Sequence, residues 1–172
     1  MLLFKKSLFA FKAIIFILAS TLLLSACSFA PIYGNKGQIN NMSNLSYAKP
    51  NTRLEQIIYQ DLKLKLGEKA NSSLVTIIVS NSTKSVARTS NSTPFTIIET
   101  ILNATISVTD AKDASIIFSG KRRASASYST NGQRIADLKA FEDANKKAAL
   151  ELAQIIRLTL IGALSTASPS ND

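Results

Sequence analysis

The chain has 172 residues, with 20 Lys and Arg against 11 Asp and Glu, a single cysteine and no histidine. One cysteine cannot form an internal disulfide. The missing imidazole removes the usual general base near neutral pH and the commonest metal ligand, so much enzyme chemistry and most metal sites are excluded from the outset.

Lys5, Lys6 and Lys12 stand at the front, an apolar run follows from Ala13 to Leu24, and the small residues Ser25 and Ala26 lead into Cys27. This is the three-part pattern of an export signal, and Leu24-Ser25-Ala26-Cys27 resembles a bacterial lipobox. The run is too short to cross a bilayer core of about 30 Å, which takes roughly 20 apolar residues. A cysteine suits the site because a thiolate attacks a lipid donor and leaves a stable thioether. A buried free cysteine and an uncleaved signal anchor are the competing readings. The resemblance implies an S-diacylglyceryl group on Cys27, cleavage before it and acylation of its new amino group. Residues 1–26 are then a signal peptide, and 146 residues remain, enough for one domain. These carry 17 basic and 11 acidic groups, a net charge of +6. That balance favours an anionic partner such as membrane headgroups or a phosphorylated glycolipid. An exported lipoprotein does not ordinarily meet nucleic acid, and no cofactor is expected beyond the covalent lipid.

After the cysteine, Ser28-Phe29-Ala30-Pro31-Ile32-Tyr33-Gly34 is extended, since Pro31 disfavours helix in the residue before it. Cys27 to Gly34 resembles the mature N-terminus of the lipopolysaccharide-assembly lipoprotein family LptE in its alpha-proteobacterial form, Cys-Gly-Phe-Arg-Pro-Leu-Tyr-Gly. Phe29, Pro31, Tyr33 and Gly34 match; Ser28, Ala30 and Ile32 depart, and Ala30 stands where the family has an arginine. Residues 27–37 read as a lipidated tether. Ser28 in place of Asp after the cysteine implies, by the usual sorting rule of bacterial lipoproteins, the periplasmic side of the outer membrane.

Gly34 to Pro50 is rich in Asn, Ser and Gly, with a short strand expected around Ser43 to Ala48. Thr52-Arg53-Leu54-Glu55 has capping-box spacing, and Leu54, Ile57, Ile58, Leu62 and Leu66 share a helical face that Gly67 ends. Leu74 to Val79 is apolar on both parities, as a strand buried on both sides would be. Ser80 to Pro94 continues it into a hairpin turn at Asn91 to Pro94. From Phe95 the alternation sets Ile98, Thr100, Leu102, Ala104, Ile106 and Val108 on one side, with Glu99, Asn103, Thr105 and Ser107 opposite. Asp110 to Asp113 turns the chain, and Ile116 to Tyr128 returns with Ile116, Phe118, Ala124, Ala126 and Tyr128 on one parity. Arg134 to Gly162 is helical, with Phe141, Ala144, Ala148, Leu152, Ile155 and Thr159 at three- and four-residue intervals. Small residues at Ala144, Ala148 and Ala149 let it lie close to a sheet. Residues 165–172 read as a solvated tail. Together these predict an α+β two-layer sandwich over residues 38–164: a mixed, largely antiparallel sheet of about four strands with two helices on one face. The element order agrees with that of the family.

Acidic pairs such as Asp110 with Asp113, or Glu142 with Asp143, suit turns and solvated helix faces better than catalysis. Without histidine a serine nucleophile would need a lysine base, and no spacing singles one out, so no enzyme activity is expected. Lys121-Arg122-Arg123 is the densest basic cluster. In a strand Lys121 and Arg123 share one face while Arg122 takes the parity of Phe118 and Ala124. That leaves either a bulge at Gly120 or a position beyond the helix-covered part of the sheet. These three residues and Arg88 are the candidates for lipopolysaccharide headgroup binding, against the plainer reading of a strand edge charged to prevent aggregation. The family resemblance implies a protein that plugs and stabilises the LptD β-barrel translocon and assists lipopolysaccharide assembly. The alternative is a periplasm-facing auxiliary or inhibitor lipoprotein of another envelope transport system.

Overall fold

The computed structural model describes residues 45–88 and 95–166. The signal peptide, Cys27, the motif residues Phe29, Pro31, Tyr33 and Gly34, the tether, the turn at Asn91 to Pro94 and the tail beyond residue 166 lie outside the described residues. The elements run β1 (Leu45–Tyr47), α1 (Arg53–Leu66), β2 (Ser73–Arg88), β3 (Thr96–Thr109), β4 (Ile116–Thr130) and α2 (Arg134–Thr166). They form one four-stranded sheet in the order β1-β2-β3-β4, with β1 parallel to β2 and the other two pairings antiparallel. Both helices pack on the same face, so the architecture is the expected α+β sandwich.

Local chemistry sets the boundaries. The Thr52 hydroxyl accepts from the Glu55 amide at 3.2 Å, and the Glu55 carboxylate accepts from the Asn51 and Thr52 amides at 2.7 and 3.2 Å, a complete capping box. At the other end Gly67 takes φ 80°, a backbone open to glycine at little steric cost, and its amide bonds the Lys63 carbonyl at 2.9 Å. The β3/β4 turn is closed by the carboxylates of Asp110 and Asp113, which accept from the Lys112 and Ser115 amides at 2.7 and 2.9 Å.

β1 pairs with only the first three residues of β2. Beyond it α1 supplies side chains in place of a strand. The Tyr59 hydroxyl accepts from the Ile77 amide at 2.7 Å, and the Glu55 carboxylate accepts from the Val79 amide at 3.1 Å. Edge groups that would otherwise invite another strand are satisfied there from within the molecule.

The core lies between the sheet and the helix pair. Val75 and Ile77, Leu102, Ala104, Ile106 and Val108, and Ala124 and Ala126 face Ile58 and Leu62 of α1 and Ala148, Leu152, Ala153, Ile156 and Leu160 of α2. Its far end is closed by polar groups: the buried Thr100 hydroxyl lies 2.6 Å from Asn145 Oδ1 and 3.0 Å from Asn81 Oδ1.

Three expectations change. β2 is not buried on both sides: Leu74 and Ile78 are 39% and 62% exposed, because both helices lie on one face and, among the described residues, no element covers the other. α2 continues through Gly162 to Thr166, past the helix end expected at Gly162. Glycine in a helix is a penalty of about 1 kcal/mol relative to alanine rather than a stop. The buried seam of α2 also turns: it passes from Leu152 to Ile156 and Leu160, leaving Ile155 and Thr159 half-buried at its margin. Four-residue steps follow the 3.6-residue turn closely, and they bring Thr159 beside β4, where it meets a cation.

Candidate functional site

The basic cluster is positioned by the pairing of β4 with β3. Lys121 lies opposite Thr105, Arg122 opposite Ala104 and Arg123 opposite Asn103, and pairing runs unbroken from Thr96↔Thr130 to Val108↔Phe118. There is no bulge at Gly120, and Arg122 does not lie past the helices. Both alternatives for its parity are therefore replaced by a third arrangement, in which Arg122 faces α2 directly. Its Nε donates to Thr159 Oγ1 at 2.7 Å, and its Nη1 donates to the Lys121 carbonyl at 2.7 Å. Thr159 in turn donates to the Ile155 carbonyl at 3.0 Å, which fixes its oxygen as the acceptor for the guanidinium. Gly120 makes room: a Cβ there would lie 2.8 Å from Phe118 Cζ. A charged strand residue thus fits on the covered face because its partners are a hydroxyl and a carbonyl.

Lys121 and Arg123 project from the uncovered face. With Ile78, Ser80, Asn103 and Thr105 they line a shallow concavity of about 630 Å³. Glu99 is the acid on β3 that shares this face, and it stands four residues from Asn103, about 13 Å along the strand. It accepts a hydrogen bond from Ser125 Oγ at 2.6 Å. Neither Lys121 nor Arg123 forms an ion pair among the described residues. Two unneutralised cations among hydroxyl and amide groups make an anion-binding surface, with Arg123 able to engage phosphate or carboxylate through two parallel donors.

Arg88 is not part of it. Arg88 pairs with Thr96, whereas Lys121 pairs with Thr105, an offset of nine residues along β3, or about 30 Å. The structure brings Lys121 and Arg123 together, sets Arg122 on the opposite side of the same strand, and leaves Arg88 at the far end of the sheet. Ser80, Asn103 and Thr105 complete the concavity, and their signal was the outward parity of β3 and the hydroxyl-rich course of β2.

Three further ionisable groups, Glu55, Asp113 and Lys139, have structural employment. Glu55 is buried, and its carboxylate accepts the amides of Asn51, Thr52 and Val79. The amide of Ser115 holds the Asp113 carboxyl below its ordinary range. In the cleft of about 330 Å³ between α1 and α2, Lys139 is tied to Asp143 at 2.8 Å, and this partner raises the lysine's proton affinity.

The two-layer α+β fold of this chain resembles that of bacterial lipoproteins of known structure. One, a protein described as a lipoprotein from Caulobacter crescentus CB15, superposes with a TM-score of 0.62 at 20% identity, over 78% of this chain and 99% of its own. A minor lipoprotein from Acinetobacter baumannii gives 0.50 at 16% identity, over 70% and 94% of the two chains. Rare lipoprotein B from Shewanella oneidensis gives 0.49 at 11% identity, over 72% and 96%. No protein-family model matches the sequence, and no curated protein matches it.

Proposed function

We propose that the chain is an envelope lipoprotein, acylated on Cys27 and held at the periplasmic side of the outer membrane, whose domain docks in the lumen of the LptD β-barrel and assists lipopolysaccharide assembly. The observation that carries this reading is the uncovered sheet face. It is a broad surface that includes Ser80, Asn103, Thr105, Ser119, Ser125 and Ser127, with Lys121 and Arg123 on its edge strand and without an ion pair among the described residues. The lumen of an outer-membrane barrel is polar, so a hydroxyl-rich face suits contact with its wall or with an anionic glycolipid passing through it. The fold shared with the Caulobacter lipoprotein and the N-terminal run from Cys27 to Gly34 support the same assignment. The protein works by binding rather than by covalent chemistry: a partner that holds only the native barrel raises the amount of native barrel by mass action.

Affinity purification of the tagged full-length chain from envelopes tests the reading. LptD should copurify, and depletion of the chain should lower the amount of assembled barrel. Normal barrel levels together with no copurification overturn it in favour of an auxiliary role in another envelope system. Mass spectrometry checks the anchor, since a wild-type chain processed without lipid removes the lipoprotein assignment.

A further inference from the structure

A second concavity, of about 620 Å³, runs on the other side of β4, between that strand and the last turns of α2. Ile117, Phe118 and Arg122 line it from the strand, and Leu158, Thr159 and Gly162 from the helix. Polar and apolar surface share its walls about equally, and its charge comes from Arg122. No acidic residue lines it, so the guanidinium is half-buried against neutral acceptors. With Nε on Thr159 and Nη1 on the Lys121 carbonyl, Nη2 remains as a donor for a ligand. The Phe118 ring folds back over Gly120, where a side chain of any size would displace it. Leu158 is 55% exposed, leaving apolar surface in water along the rim. A Cβ built on Gly162 meets nothing within 4 Å, so the space continues past the helix backbone.

We propose that this groove binds a single acyl chain bearing an anionic head. The chain lies along Ile117, Phe118 and Leu158, and the head sits on the Arg122 guanidinium. Apolar side chains set beside one placed charge suit a ligand that has both an apolar and an anionic part. Arg is suited to it because its weakly hydrated, planar charge packs against apolar surface while donating to phosphate. Thr159 acts as a positioning residue: it orients Arg122 and does not meet the ligand. This site lies across β4 from the Lys121 and Arg123 face and does not rest on the barrel assignment.

The test uses the full-length chain in phosphatidylcholine nanodiscs, with no barrel present, photolabelled by dodecyl phosphate carrying a diazirine near the chain end. Peptides containing Ile117 to Phe118 and Leu158 to Gly162 should carry the label. Gly162→Leu fills the trough with a residue that favours helix, and it should cut labelling about tenfold while leaving the circular dichroism spectrum unchanged. Arg122→Gln should cut it similarly, and a dodecyl maltoside probe, which is neutral, should label the groove weakly. Displacement by unlabelled lipopolysaccharide identifies the chain as that of the glycolipid, and displacement by phosphatidylglycerol identifies a bilayer phospholipid. The proposal is overturned by undiminished labelling in Gly162→Leu, by equal labelling with the neutral probe, by label confined to other peptides, or by displacement with neither lipid. Because no barrel is present, this result is independent of whether LptD copurifies.

Discussion

Two tyrosines, with ring centroids 5.9 Å apart and packed edge to face, show how much one hydrogen bond decides. Tyr59 serves the edge of β2 just past its pairing with β1: its hydroxyl accepts from the Ile77 amide at 2.7 Å and lies 3.4 Å from the Ile77 carbonyl. The Tyr47 hydroxyl is buried with no hydrogen-bond partner among the described residues. Removing a partner from a buried amide costs about 1–3 kcal/mol, whereas deleting an unpartnered hydroxyl is close to neutral. Tyr59→Phe should therefore lower the urea midpoint clearly at constant slope, and Tyr47→Phe should leave it unchanged or raise it. A large loss in Tyr47→Phe would mean that the hydroxyl has a partner. Burial raises the proton affinity of both phenols above the ordinary value of 10.0. A raised phenol binds its proton more tightly in the folded state, so its contribution is complete below pH 10 and is lost as pH rises from there toward the folded value. The slope is about 1.4 kcal/mol per pH unit for each tyrosine. Stability measured from pH 9 to 11.5 should fall, and more gently in Tyr47→Phe; equal slopes would contradict the assignment.

At the scale of elements, α1 both begins itself and finishes the sheet, and Glu55 links the two tasks. Thr52→Ala removes one cap acceptor and should cost about 1 kcal/mol. Glu55→Ala removes the acceptor of Asn51, Thr52 and Val79 at once, so it should cost more and should also speed hydrogen exchange at the Val79 amide, which Thr52→Ala leaves protected. Equal exchange in the two variants would show that the strand edge is held by something else. The capping box, the glycine stop and the alternation of β3 were all legible because each is local: the residues that decide them are at most a few positions apart. The exposure of Ile78, the turn of the α2 seam and the place of Arg122 were not legible, because each depends on which elements meet. Parity put Arg122 among the inward residues correctly, but only the α2 docking shows that Thr159 receives it. The separation of Arg88 from the cluster likewise follows from strand register, which composition does not reveal.

For the molecule as a whole, β4 divides the basic cluster between two surfaces with different duties. Lys121 and Arg123 are exposed on the bare face and their side chains make no hydrogen bond or ion pair among the described residues, so removing them takes away charge and little packing. Arg122 is half-buried and hydrogen-bonded to α2, so removing it loosens the contact between strand and helix as well. A charge-assisted hydrogen bond contributes about 1.5–3 kcal/mol when partly shielded, whereas exposed pairs contribute about 1 kcal/mol or less and are screened by salt. Changing Lys121 and Arg123 together to Ser should leave the urea midpoint within about 0.5 kcal/mol of wild type, as for surface substitutions away from packed features. The same pair should weaken binding to lipopolysaccharide severalfold at low salt, with the difference closing as ionic strength rises and the Debye length shrinks from about 10 Å at 0.1 M to 3 Å at 1 M. Arg88→Ser, about 30 Å away along the sheet, should not change that binding. Surface plasmon resonance of the full-length chain across a salt series reads both variants against wild type. Should Arg88→Ser weaken binding as much as the double variant, the glycolipid would be responding to net charge alone, and the concavity at Lys121 and Arg123 would hold no specific site.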